Sequence, residues 1–250
     1  MQIIFQDPYA SLNPRMKIGD AVGHPLEIHE LAAETEKRKR VLEMLAKVGL
    51  TPPEQFISLY PHQLSGGQRQ RAAMARSMIL EPEFVVADEP VSMIDVSLRT
   101  TIIDLMLELR KELGLTYLFI THDLAVAKYI SDRIAIMYLG KMVEMSGKGE
   151  FFSSPLHPYA QALLSAVPVP SVERKRKPIE LRGEVPSAIN IPSGCRFHPR
   201  CSYATERCKR EVPPLFERTK RHLTACHYEI DFQKGVRLYE IDYGSSAVKG

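Results

Sequence analysis

Two adjacent acids end the apolar run Phe84-Val85-Val86-Ala87-Asp88-Glu89-Pro90. In α/β sheets ligands gather at the carboxyl ends of strands. That position suits metal-nucleotide chemistry: Asp88 would hold Mg²⁺ directly or through water, and Glu89 would polarise a water for attack on a γ-phosphate. Taken alone, an Asp-Glu pair is more often a surface turn. Leu64-Ser65-Gly66-Gly67-Gln68-Arg69-Gln70-Arg71 sets a hydroxyl and two glycines at a helix start. Unpaired amides and the positive end of the helix dipole attract phosphate there, and glycine lets the backbone come close. A plain helix cap is the competing reading. Thr116-Tyr117-Leu118-Phe119-Ile120-Thr121-His122-Asp123 carries His122 just past a strand, one strand after the acid pair. His122 could there contact the γ-phosphate and orient the water or Glu89, although a lone His is more often structural.

The elements that must position these residues follow from hydrophobic periodicity. Val41, Leu42, Leu45 and Val48 share one face of a helix over 35–48, with Gly49 as its stop. A second helix runs from Ser65 to about Leu80, ended by Glu81-Pro82. Residues 84–87 form a short strand, apolar throughout as in parallel sheets covered on both faces. Ile102, Leu105, Met106, Leu109 and Leu113 mark a helix over 96–113, stopped at Gly114. A strand over 116–120, a helix over 124–130, a hairpin over 133–143 turning near Gly140-Lys141 and a short helix from Pro158 to Val167 complete the pattern. Strands alternating with helices predict an open α/β sheet with its working loops at the strand ends.

At 44% hydrophobic and 25% charged residues over 250 positions, the composition is that of a soluble globular protein and excludes disorder and a membrane-spanning bundle. The start has neither the basic region nor the apolar stretch of a secretory signal, so an intracellular protein is expected. A net charge of +3 is too small and too mixed for nucleic-acid binding. The run Arg174-Lys175-Arg176-Lys177, between Pro170 and Pro178, reads as a solvated linker. With Pro168, Pro186 and Pro192 these prolines mark a composition shift and a boundary near Val167.

All four cysteines follow that boundary: Cys195, Cys201, Cys208 and Cys226. In a cytosolic chain grouped thiols read as metal ligands or as reduced structural cysteines rather than disulfides. No Cys-x-x-Cys pair is present, so the spacing is not that of the usual zinc ribbon. Four thiolates suit either a [4Fe–4S] cluster or Zn²⁺. His198, His222 and His227 are nearby alternatives for which solvated or structural roles are the simpler reading.

Signature segment, acid pair and His occur in the order and spacing of ATP-binding-cassette (ABC) ATPases, which this chain resembles over nearly its whole length. Gln6-Asp7-Pro8-Tyr9-Ala10-Ser11-Leu12-Asn13-Pro14-Arg15 resembles the Gln-loop region of the oligopeptide, dipeptide and nickel importer branch. So do Tyr60-Pro61-His62-Gln63 ahead of Leu64-Ser65-Gly66-Gly67-Gln68, and Asp88-Glu89-Pro90-Val91-Ser92. The resemblance implies part of a P-loop NTPase (ABC ATPase) fold over 1–167, with a helical subdomain near 20–80. A small C-terminal extension over 168–250 would carry the four-cysteine segment 195–226.

By the same resemblance, Gln6 senses Mg²⁺ and the attacking water and couples to a membrane subunit. Ser65, Gly66, Gly67 and Gln68 meet the γ-phosphate of an ATP held by the opposite subunit of a head-to-tail dimer. Asp95 closes a loop that crosses the dimer; Met93 and Ile94 stand where the family usually has Ala-Leu. Glu89 and His122 would be catalytic. The branch often carries a His-Pro-x-Cys tail, and iron and sulfur bind there in some members, which favours the cluster over zinc.

The implied protein is an ATPase subunit on the inner face of the cell membrane. It would pair with an identical or paralogous ATPase, act on two permease subunits, and be served indirectly by an extracytoplasmic peptide-binding protein. Peptides are the branch-level cargo, with nickel the other branch member. Against this, Gly-x-x-x-x-Gly-Lys-[Ser/Thr], the loop that cradles phosphates, occurs nowhere in the 250 residues. The expectation is a chain lacking the front of its own nucleotide site, with apolar sheet surface left bare. It would be a fragment of a complete ATPase or, alternatively, a non-hydrolysing accessory that lends its signature segment in trans and has a metal-binding tail. ATP hydrolysis by the chain alone is not expected.

Overall fold

Strands β1 (Gln2–Ile4), β2 (Phe84–Asp88) and β3 (Thr116–Ile120) form a parallel sheet in that order, with Ile4 beside Ala87 and Ala87 beside Phe119. The computed structural model describes residues 1–167, 179–231 and 236–241. Pro168, Pro170, Pro178 and the basic run Arg174 to Lys177 lie outside the described residues. The chain separates into two compact units, Met1–Asp123 and Leu124–Gly250. This division follows packing, whereas the expected division near Val167 follows composition.

Between β1 and β2 the first unit inserts α1 (Pro8–Ser11), α2 (Ile18–Ile28), α3 (Glu34–Lys47), α4 (Pro53–Phe56) and α5 (Gly66–Met78). Helix α6 (Val96–Leu113) joins β2 to β3 and ends at Gly114, whose φ of 64° is the left-handed stop that glycine adopts without strain. Helix α3 buries Val41, Met44 and Leu45, and α5 is buried nearly all round, which its small residues Ala72, Ala73 and Ala75 allow. Helix α2 was not legible: its Pro25 and two glycines read against a helix, yet Ile18, Val22 and Leu26 are fully buried.

The sheet differs from the expected double-sided burial. Ile4, Val85 and Ala87 point into the core and are at most 1% exposed. On the opposite face Ile3, Leu118 and Ile120 are 39%, 51% and 44% exposed, and Val86 between them is only part-buried. One face of this sheet therefore leaves apolar side chains exposed.

The second unit begins with α7 (Leu124–Ile130) and the hairpin β4 (Arg133–Tyr138)–β5 (Lys141–Gly147). Leu139 and Gly140 have φ of 45° and 76°, the paired left-handed residues of a tight hairpin turn. Helices α8 (Lys148–Ser153), α9 (Pro158–Ala166) and α10 (Glu206–Arg210) follow, with β6 (Phe216–Thr219), β7 (His222–Thr224), β8 (Tyr228–Asp231) and β9 (Val236–Glu240). Strand β7 pairs with β5, giving a four-stranded antiparallel sheet ordered β4-β5-β7-β6. The cysteine-bearing tail thus has no separate core. Phe197, 1% exposed, sits among Ile134, Ile136, Tyr138, Phe151 and Leu164, its ring edge-on to Tyr138 at 5.2 Å.

Candidate functional site

Because the three strands run parallel, the loops after β1, β2 and β3 emerge at the same edge of the sheet. Those loops carry Gln6, Glu89 and His122, and their side chains meet. Gln6 Nε2 donates to Glu89 Oε2 at 3.0 Å, and His122 Nδ1 lies 3.0 Å from Glu89 Oε1. Glu89 is thus held through each oxygen by a different loop. Its backbone N–H donates to the carbonyl of Ile120 at 3.0 Å, and its φ of 44° lies in the left-handed region. For a non-glycine residue that region is strained by about 1–2 kcal/mol. The strain turns the chain sharply after Asp88, leaving the Asp88 carboxyl at the strand end and sending Glu89 between its two neighbours. His122 is well exposed and Glu89 about one-quarter exposed, so water reaches the cluster.

The Ser65 region is a working helix cap. Ser65 Oγ accepts from the Gln68 N–H at 3.3 Å, while Gln68 Oε1 accepts from the Ser65 N–H at 3.0 Å. The competing reading of this segment as a cap is therefore also realised. A Cβ on Gly66 would meet nothing within 4 Å, whereas one on Gly67 would lie 3.3 Å from Leu98. Gly66 is the open approach and Gly67 the packed one. Asp95 precedes α6 as its N-cap residue, exposed and without a cap hydrogen bond. Beside it, Ile94 is buried and Met93 exposed. Ser92 Oγ donates to the Glu89 carbonyl at 2.9 Å, which ties this loop to the acid pair.

Arg69 is a positioning residue that spacing alone did not reveal. It is 6% exposed, donates to the carbonyls of Pro61 (2.9 Å) and Leu64 (3.2 Å), and stacks on Tyr9 at 3.8 Å. It fixes the turn ahead of Ser65 and joins it to the loop after Gln6.

In the second unit Cys195, Cys201, Cys208 and Cys226 line one small cavity with His157, His198 and His227. None of the four cysteines is in a disulfide. Gly194, φ 66°, makes this shared lining possible: a Cβ there would lie 2.4 Å from the Cys208 carbonyl, to which the Cys195 N–H donates at 2.8 Å. Burial pushes the Cys195 thiol up to about 11 and the Cys201 and Cys226 thiols up to about 12. Backbone amides oppose this: those of Phe197 and His198 face the Cys195 sulfur, that of Tyr203 faces Cys201 and that of Tyr228 faces Cys226. Amides aimed at sulfur favour the thiolate form, but burial outweighs them here and keeps these thiols protonated. Among the described residues no group of three or more His, Cys, Asp or Glu is arranged to hold a metal ion. His222 lies outside this wall; its Nε2 bonds the buried Glu144 at 2.8 Å.

No described helix is long and apolar enough to cross a membrane. A family model described as "ABC transporter" matches residues 1–92, and one described as "Oligopeptide/dipeptide transporter, C-terminal region" matches residues 143–208. The oligopeptide transport ATP-binding protein AppF of Bacillus subtilis is 51% identical over 91% of this chain and 69% of its own length. The dipeptide transport ATP-binding protein DppF of Haemophilus influenzae is 50% identical over the same shares. A solved dimeric ATP-binding cassette in a post-hydrolysis state, bound to ADP and Pi, is 33% identical with a TM-score of 0.51, covering 59% of this chain and 62% of that one. Gln6 and Glu89 of the sheet-edge cluster fall in the cassette match and Cys195, Cys201 and Cys208 of the cavity in the transporter-specific match; with these relatives, the chain belongs to the ABC-transporter ATPases, among the ATP-binding proteins of oligopeptide and dipeptide transport.

Proposed function

We propose that this chain serves a peptide importer as an ATP-hydrolysing subunit, docked on two permease subunits at the cytoplasmic face and paired head to tail with an identical or paralogous ATPase. The observation that carries this reading is the meeting of Gln6, Glu89 and His122 at one sheet edge. Asp88 would hold Mg²⁺. Glu89 takes the proton of the attacking water, His122 holds Glu89 and faces the γ-phosphate, and Gln6 links this cluster to the permease contact. The open backbone at Gly66 suits Ser65–Gln68 to a phosphate presented by the partner subunit.

A second reading starts from the capped Ser65–Gln68 segment, open to a phosphate at Gly66. In that reading the chain lends Ser65–Gln68 to a partner's ATP and does not hydrolyse. In that reading the chain purified alone should bind Mg-ATP very weakly, and tight binding would overturn it. Paired with a loop-bearing ATPase of this family, Glu89→Gln separates the readings. A large fall in hydrolysis supports the hydrolysing role; unchanged hydrolysis with Ser65→Arg inhibitory supports the accessory role.

For the second unit we propose a [4Fe–4S] cluster on Cys195, Cys201, Cys208 and Cys226, with Zn²⁺ the alternative. What supports it is that the four cysteines line one cavity and that backbone amides face three of the sulfurs. Such a group would cross-link the tail and supply one-electron redox chemistry when bound. Iron with acid-labile sulfide in anaerobically purified protein supports the cluster; stoichiometric zinc overturns it.

A further inference from the structure

Helix α5 starts at the Ser65–Gln68 cap and grips the loop after Gln6 along its length. Arg69 and Arg76 are about two turns apart and so share a face. Arg76 Nη1 donates to the Ser11 carbonyl, Ser77 Oγ donates to the Ile3 carbonyl at 3.0 Å, and the Arg69 guanidinium carbon lies 3.8 Å from the centre of the Tyr9 ring. The loop is stiff in itself. Asp7 caps α1 by accepting from the Tyr9 N–H at 2.7 Å, the Ser11 N–H donates to the Asp7 carbonyl at 3.1 Å, and Leu12 is buried. At its other end Gln6 holds Glu89. The segment from Gln6 to Ser11 therefore touches both the acid cluster and the residue that carries the cap.

That residue is Arg69. Its Nε and Nη2 bond the Pro61 and Leu64 carbonyls on either side of the turn ahead of Ser65. Among the described residues its Nη1 is buried without a hydrogen-bond acceptor. A buried charged donor in that state is costly unless negative potential faces the group. The π face of Tyr9 lies over the guanidinium and supplies it. Tyr9 is itself 62% exposed, so its ring adds little to the core and acts chiefly on Arg69.

We infer that Tyr9 is a positioning residue for the Ser65–Gln68 segment: stacked on Arg69, it fixes the guanidinium that carries the turn at 61–64. The stack links the Glu89 cluster, which acts on one ATP, to the cap that serves the other. This rests on the reading of Ser65–Gln68 as the contact for a phosphate held by the partner subunit. Without the ring, Arg69 is free to shift, and the cap loses its aim while Ser65, Gly66, Gly67 and Gln68 stay chemically intact.

The test compares Tyr9→Leu, Tyr9→Phe and Arg69→Met in the full chain. Tyr9→Leu should speed amide exchange over 63–68 roughly 3- to 30-fold. Tyr9→Phe keeps the π face and should stay within threefold of the unaltered protein. Tyr9→Leu added to Arg69→Met should change nothing further, because the two act through one contact. The amide of the buried Met106 in α6 is the control for overall loosening. Acceleration below threefold in Tyr9→Leu overturns the inference. So do equal acceleration at Met106, a Tyr9→Phe variant that behaves like Tyr9→Leu, and effects of Tyr9→Leu and Arg69→Met that multiply. Paired with an ATPase of this family that carries the phosphate-cradling loop, Tyr9→Leu should lower kcat at least threefold, and Tyr9→Phe should retain it. Faster exchange with an unaltered kcat overturns the role in the reaction. If Ser65→Arg leaves hydrolysis by that pair unchanged, the phosphate-contact reading itself fails, an outcome distinct from unaltered exchange in Tyr9→Leu.

Discussion

Glu144 is a carboxylate with no solvent exposure, and replacing it by Gln tests how the second unit is held together. Oε1 accepts from the Leu156 N–H at 2.9 Å and from His222 Nε2 at 2.8 Å, and Oε2 accepts from the His157 N–H at 2.7 Å. These bonds join β5, the corner before α9 and β7. Gln has one oxygen. Placed at the Oε1 position, it still serves Leu156 and His222, but its NH₂ then faces the His157 N–H, two donors with no acceptor. Each orphaned buried donor costs about 1–3 kcal/mol, so Glu144→Gln should destabilise this unit by about 2–5 kcal/mol. That is a large share of a typical 5–15 kcal/mol domain stability. Because the chain has two units and no Trp, a single denaturation curve is a poor reporter. Amide hydrogen exchange is local: the Leu156 and His157 amides, and that of Ala225, which donates to Val143 at 2.8 Å, should exchange roughly 30-fold to several thousand-fold faster. Exchange within threefold of the unaltered protein at all three would refute the assignment of Glu144 as the unit's polar anchor.

Arg69→Met keeps most of the aliphatic bulk but removes the bonds to the Pro61 and Leu64 carbonyls; it should cost about 2–4 kcal/mol and speed exchange over 61–66. Gln6→Ala releases one Glu89 oxygen at an exposed site, so the melting temperature should stay within a degree or two while hydrolysis in the paired ATPase falls. The thiols give a pH prediction. Their folded values, about 11 for Cys195 and about 12 for Cys201 and Cys226, lie above the ordinary 9.0. A raised value means the folded state holds protons the unfolded state releases, so stability is full below pH 9 and falls from there toward pH 12 in metal-free protein. Melting temperatures from pH 7 to 11 check the sign, and slow iodoacetamide labelling at pH 8 checks the buried thiols.

Much of the first unit was legible because its signals are local. Helix α6 and β3 fall on the expected residues, since each is a single periodic run bounded by its own stop. The cluster of Gln6, Glu89 and His122 was readable as roles, but not as contacts: 83 residues separate Gln6 from Glu89, and the left-handed turn at Glu89 carries no compositional mark. The tail was read least well. Pairing of β5 with β7 spans almost eighty residues, and the short strands β6 to β9, of mixed character, give no periodicity to detect. His157 escaped notice because a His before Pro looks like a cap, which it is.

The bare sheet face has a calorimetric consequence. Ile3, Leu118 and Ile120 are already hydrated in the folded first unit, so unfolding it exposes less new apolar surface than the usual domain. Its heat-capacity increment should fall below the common 12–15 cal/mol/K per residue, flattening its stability curve with temperature. Whatever polypeptide comes to cover that face would restore the missing increment, and would announce itself by a negative heat-capacity change on binding.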